Sequence, residues 1–186
     1  MTLSLLAALA WAASLAPVDQ PKAPPTAAPA QIVLRAGETV QMTIDEGGQA
    51  AETARGSAPA MSRFEAAAAW HLTNGAYRDA SGPNSAAIVP GELGIPEPPP
   101  VEDGQVSIKL FALGDAGTLL ILENGYRGAL QYRATIDTGG RSERTDVCQV
   151  LPSLYSFEHW PYAIERIALS DLRLVPWLEG QRPICE

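Results

Sequence analysis

The last third of the chain places the tightest limit on its fold. Across residues 117–185, short β-type runs alternate with turn signals and no helical pattern stands between them. This span also holds the only two cysteines, Cys148 and Cys185. Thr118-Leu119-Leu120-Ile121-Leu122 is continuously apolar, as a strand covered on both faces must be. Val106, Ile108 and Leu110 alternate with polar neighbours, and so do Leu130, Tyr132, Ala134 and Ile136, giving each run one inward face. Residues 146–151 would carry Cys148 on a further strand. Residues 164–175 suit a strand with a slip near Ser170-Asp171, placing Ile167, Leu169, Leu172 and Leu174 along it, with a helix as the alternative. Strands that follow one another through turns pack as antiparallel sheets. The expectation is a mainly β fold: an antiparallel β-sandwich of immunoglobulin-like architecture, with one short helix and a long Pro-rich segment.

Upstream, residues 32–34 and 40–44 read as two strands around a turn, with Val40, Met42 and Ile44 on one face. Residues 47–58 are small and polar and read as loop. Ser62-Arg63-Phe64-Glu65 matches a capping box, and four alanines follow it. A helix over 63–72 is expected, stopped by Asn74-Gly75, with Phe64, Ala68 and Leu72 on one side and Trp70 packing on the sheet. Residues 81–104 carry six prolines, too many for regular structure, so this stretch is a wrapped surface segment or a linker. A single domain over 31–186 is expected. A finer division would set a small subdomain (31–80) against a sandwich core (105–186).

The first sixteen residues, MTLSLLAALAWAASLA, contain no charge. The apolar run of about thirteen residues has the length of a signal-peptide core and falls short of the roughly 20 that span a bilayer. A buried N-terminal helix and a retained membrane anchor are the competing readings. Residues 17–30, rich in proline and alanine, form a stiff linker after the leader. Export would suit the cysteine pair, since disulfides persist in oxidising compartments. The expected location is the bacterial periplasm, with no stable membrane insertion once the leader is removed.

Net charge is −8, with 13 basic residues against 21 acidic ones and no basic stripe to neutralise phosphates. No nucleic-acid partner is expected. The two histidines, His71 and His159, stand 88 positions apart without metal-ligand spacing, and neither cysteine belongs to a C-x-x-C pair, so no metal and no cofactor are expected. The chain has no G-x-S-x-G elbow and no S-x-x-K motif, so no catalytic residue is assigned.

One constellation is unusual. Tyr155, Phe157, Trp160 and Tyr162 place four aromatics in eight residues, together with Glu158, His159 and Pro161. Read as a loop, this segment would offer Tyr155, His159, Trp160 and Tyr162 to a partner, because aromatic side chains carry much interface energy. Read structurally, the same rings would plug one end of the sandwich. The leading expectation is an exported, non-enzymatic binding or structural module of the cell envelope, with another envelope protein as partner. The alternative is a small secreted hydrolase or carbohydrate-active enzyme that uses His159 with a nearby carboxylate such as Glu158.

Overall fold

The structure, a computed structural model, describes residues 31–75 and 96–185. The expected leader, the linker over 17–30 and residues 81–95 of the Pro-rich segment lie outside the described residues. Strands β1 (Ile32–Leu34), β9 (Arg166–Val175), β6 (Ala129–Thr138) and β7 (Arg141–Thr145) form one sheet in that order. Strands β3 (Ala50–Ser57), β2 (Glu38–Ile44), β4 (Val106–Ala112), β5 (Thr118–Asn124) and β8 (Tyr155–Trp160) form the other. Every pairing is antiparallel. The two sheets pack together as a β-sandwich.

Side-chain alternation builds the core. Val40 and Met42 of β2, Ile108 and Leu110 of β4, and Leu120 and Leu122 of β5 face Leu130, Tyr132, Ala134 and Ile136 of β6 and Ile167 and Leu169 of β9. The other face of the five-stranded sheet is also covered. Helix α1 (Arg63–Leu72) lies across it, and Ala66, Ala69 and the preceding Met61 pack on Leu119 and Ile121. This explains the unbroken apolar run of β5. Leu119, Leu120, Ile121 and Leu122 are all fully buried, each contributing about 2 kcal/mol relative to exposure.

The capping box forms as expected: the Ser62 hydroxyl accepts the Glu65 N–H at 3.2 Å, and Glu65 Oε2 accepts the Ser62 N–H at 2.7 Å. At the other end Asn74 and Gly75 take positive φ values, and the Gly75 N–H returns to the Trp70 carbonyl at 2.7 Å. The helix face differs from the expected one. Leu72 is exposed, because the stripe that meets the sheet is Ala66 and Ala69, three residues apart on another side of the helix.

Three strand readings are corrected. Residues 50–57 form β3 rather than loop; as an exposed edge strand β3 needs only backbone pairing with β2, so its sequence carries no apolar alternation. Residues 146–151 are not a regular strand. The strand after the Gly139-Gly140 turn is β7, and Val150 then makes an isolated bridge to Leu130 farther along β6. Residues 155–160 are strand β8, not a loop. The slip expected near Ser170-Asp171 is present in β9, as a register shift opposite Gln131 and Arg133 with Asp171 at φ 54°.

Cys148 and Cys185 form a disulfide across 37 residues. It lays the C-terminal tail along the 146–150 segment, where the Gln149 N–H donates to the Ile184 carbonyl at 2.9 Å and the Ile184 N–H to Gln149 Oε1 at 3.1 Å. The bond therefore fastens a tail to a sheet edge rather than crossing between the sheets. Closing a loop of this length restricts the unfolded chain by about 4 kcal/mol in the chain-entropy model.

The turn after β5 depends on a close backbone approach. A Cβ on Gly125 would lie 1.8 Å from the Glu102 carbonyl oxygen and 2.8 Å from that of Gln105, whereas a Cβ on Gly56 in β3 would meet nothing within 4 Å among the described residues. Gly125→Ala is expected to destabilise the fold by about 3 kcal/mol or more, since only the backbone can yield. Gly56→Ala should be neutral or slightly stabilising. Urea unfolding of the two variants beside the parent chain checks the contrast.

Candidate functional site

Strand β8 is the edge of the five-stranded sheet opposite β3, and its period of two sends its side chains to opposite faces. Ser156, Glu158 and Trp160 turn towards the four-stranded sheet. Tyr155, Phe157 and His159 turn towards the face that carries α1. The expected set of Tyr155, His159, Trp160 and Tyr162 is thereby divided. Trp160 is buried, and its indole N–H donates to Thr145 Oγ1 of β7 at 2.9 Å, so it closes the gap between the sheets and does not belong to an exposed surface. Tyr162 lies just beyond the strand and is 44% exposed. Leu154, just before the strand, is also exposed.

His159 Nε2 lies 2.8 Å from the Ala116 carbonyl. A carbonyl only accepts, so the imidazole carries its proton on Nε2. Glu158 points through the opposite face, where its Oε1 accepts the Cys148 backbone N–H at 3.0 Å. Adjacent residues on one strand cannot share a face, so His159 and Glu158 do not form an acid–base pair. Burial raises the Glu158 carboxyl above its ordinary value, partly offset by the Cys148 N–H. The neighbouring Tyr132 phenol is raised well above its ordinary value, first by burial and then by the Glu158 charge, and among the described residues its hydroxyl has no hydrogen-bond partner.

On the α1 side the rows of the sheet run Ser107–Glu123–Tyr155, then Lys109–Ile121–Phe157, then Phe111–Leu119–His159. Phe64, from the first turn of α1, enters above the first and third positions of β8. Its ring meets Tyr155 at 5.1 Å and Phe157 at 5.6 Å, both edge-to-face, while Tyr155 and Phe157 lie nearly parallel at 6.2 Å. All three rings are half-buried. The Tyr155 hydroxyl donates to the Pro99 carbonyl at 3.3 Å, so the end of the Pro-rich segment passes over this cluster.

Beside the rings lies an ion triad that the sequence reading did not assemble. Lys109 Nζ contacts Glu65 Oε1 at 2.9 Å and also Glu123 Oε1, with the three side chains 16%, 5% and 14% exposed. Glu65 thus serves the helix cap with one oxygen and the sheet with the other. Burial alone would pull the Lys109 ammonium down; the hydrogen bonds to Glu123 and Glu65 outweigh it and hold the group above its ordinary value. The available signal was Lys109 itself, one of two lysines in the chain, on the polar face of a strand flanked by apolar runs. A cation in the middle of a covered sheet needs carboxylate partners. Among the described residues no cluster of His, Cys, Asp and Glu is arranged to hold a metal ion.

The chain matches no family model, and neither a curated protein nor a solved structure shows significant similarity to it.

Two variants test the electrostatics. Lys109→Met leaves two carboxylates facing each other under α1 and should cost about 3–5 kcal/mol at neutral pH. Because the folded lysine titrates above its unfolded value of about 10.4, its contribution is complete below that pH and lost above it. The parent chain should therefore lose stability on alkalinisation more steeply than the variant. Glu158→Gln keeps an acceptor for Cys148 and removes a charge that burial opposes. The variant should match or exceed the parent in stability at pH 7, and its advantage should shrink as pH falls towards about 4, where the folded carboxyl is protonated. Urea unfolding across pH reads both.

Proposed function

We infer that this chain is an exported, non-enzymatic binding module of the cell envelope whose partner surface is the α1-facing side of β8. The carrying observation is the half-buried aromatic cluster that Phe64 of α1 makes with Tyr155 and Phe157 of the edge strand β8, flanked at the strand's two ends by exposed Leu154 and Tyr162. Apolar surface of this kind is retained where a partner covers it. Tyrosine and phenylalanine anchored by a rigid scaffold lose little side-chain entropy on binding, which suits them to the centre of such a contact.

The disulfide and the apolar leader support export. A bond formed between Cys148 and Cys185 requires an oxidising compartment. Among the described residues, no helix is long and apolar enough to cross a membrane. The bacterial periplasm is the location that combines these features, with another envelope protein as the partner.

Expression of the full chain in a bacterium, followed by osmotic release and non-reducing electrophoresis, should recover an oxidised, processed protein. Cytosolic retention with reduced thiols would refute export. A photo-crosslinking residue placed at Tyr155 or Phe157 should trap a discrete envelope partner in cells, while the same residue at Gln41 on β2 should not. Equal labelling from all three positions would remove β8 from the reading.

A further inference from the structure

The segment from Pro96 to Pro100 is the part of this surface whose chemistry the fold does not otherwise use. Three successive prolines, Pro98, Pro99 and Pro100, have no N–H to give, so they cannot join a sheet; their carbonyls need donors from elsewhere. Among the described residues, the Tyr155 hydroxyl is the one hydrogen-bond donor to residues 97–100. The prolines themselves remain exposed, and the aromatic rings beneath them remain half-buried. The contact is real in geometry and light in area.

An aromatic ridge with a tyrosine hydroxyl bonded to a proline carbonyl is the arrangement by which polyproline II segments are recognised. Such a segment is extended before it binds and therefore loses little entropy on docking. Resting on the reading of β8 as a binding surface, we propose that Phe64, Tyr155 and Phe157 form a docking ridge for a proline-rich segment of a partner protein, with Pro96–Pro100 as its resident intramolecular occupant. A longer ligand displaces the resident segment and takes over the Tyr155 hydroxyl. Charge narrows the ligand further. The ion triad beside the ridge carries two carboxylates and one ammonium, and Glu97 and Glu102 stand exposed close by in sequence, so a proline-rich ligand bearing lysine or arginine is favoured over an acidic one.

The test uses the full chain, isotope-labelled, and two synthetic decapeptides of equal charge: prolines capped by a lysine at each end, and a Gly/Ser sequence with the same lysines. The proline peptide should shift the resonances of Phe64, Tyr155 and Phe157, and the Gly/Ser peptide should not. Replacing Pro98, Pro99 and Pro100 together by serine frees the ridge and should tighten binding about tenfold. Tyr155→Phe, which keeps the ring, should weaken it about three- to tenfold. Circular dichroism of each variant confirms the fold. No shift at millimolar proline peptide in either the parent or the serine variant overturns the proposal, as does equal binding of the Gly/Ser peptide. Shifts confined to the β8 backbone with concentration-dependent self-association would also overturn it, in favour of strand pairing between copies. Persistent crosslinking from Tyr155 in cells alongside any of these results leaves the binding surface standing and removes only its proline-rich ligand.

Discussion

The position of Lys109 between Glu65 and Glu123 is the interaction on which the helix-covered face of the five-stranded sheet depends. Lys109 stands on β4, the middle strand of its sheet, and points into the layer beneath α1. Glu65 reaches it while completing the capping box of the helix, so one carboxylate fixes both where α1 begins and where it sits. With its first turn held there, Phe64 has a single neighbourhood available, and its ring stands edge-on to Tyr155 and Phe157. Charge burial, helix capping and aromatic geometry are consequently one arrangement rather than three.

Strand β8 shows how the same six residues serve two layers. Its inward residues join the sheets: Trp160 reaches Thr145, and Glu158 holds the backbone of Cys148. Its outward residues make the ridge. The disulfide lies on the neighbouring edge and ties down the tail that follows β9, so the segment that Glu158 grips is fixed from both sides. At the far end of β5, fully buried Asn124 gathers the next connections. Its amide nitrogen is 2.9, 3.0 and 3.1 Å from the carbonyls of Gly128, Val150 and Leu151, and its Oδ1 accepts the Tyr126 N–H. Asn124 is thus a buried hub, because an amide has both donors and an acceptor to give.

Much of the sandwich was legible along the chain because buried strands and helix caps declare themselves locally. The runs of β4, β5 and β6, the bulge in β9 and the capping box of α1 all lie within about two residues of the expected places. β3 and β7 were hidden for a physical reason: edge strands buried on neither face need no apolar alternation, and their backbone pairing leaves no mark on composition. The aromatic segment was found, but its division into faces was not. Whether Trp160 or Tyr155 is exposed depends on pairing register with β5, and a shift of one residue would exchange them.

By itself the sequence determined the class of fold, the helix and its cap, the doubly covered central strand and the two residues that form the disulfide. Each of these follows from periodicity over a few neighbours or from a count. Only the tertiary structure decided that Glu65, Lys109 and Glu123 would share one charge cluster, that Phe64 would meet Tyr155 and Phe157, and that a proline carbonyl would rest on the tyrosine hydroxyl. Those contacts join residues separated by 14 to 93 positions. No local propensity encodes such a distance; packing of the two sheets and the helix supplies it.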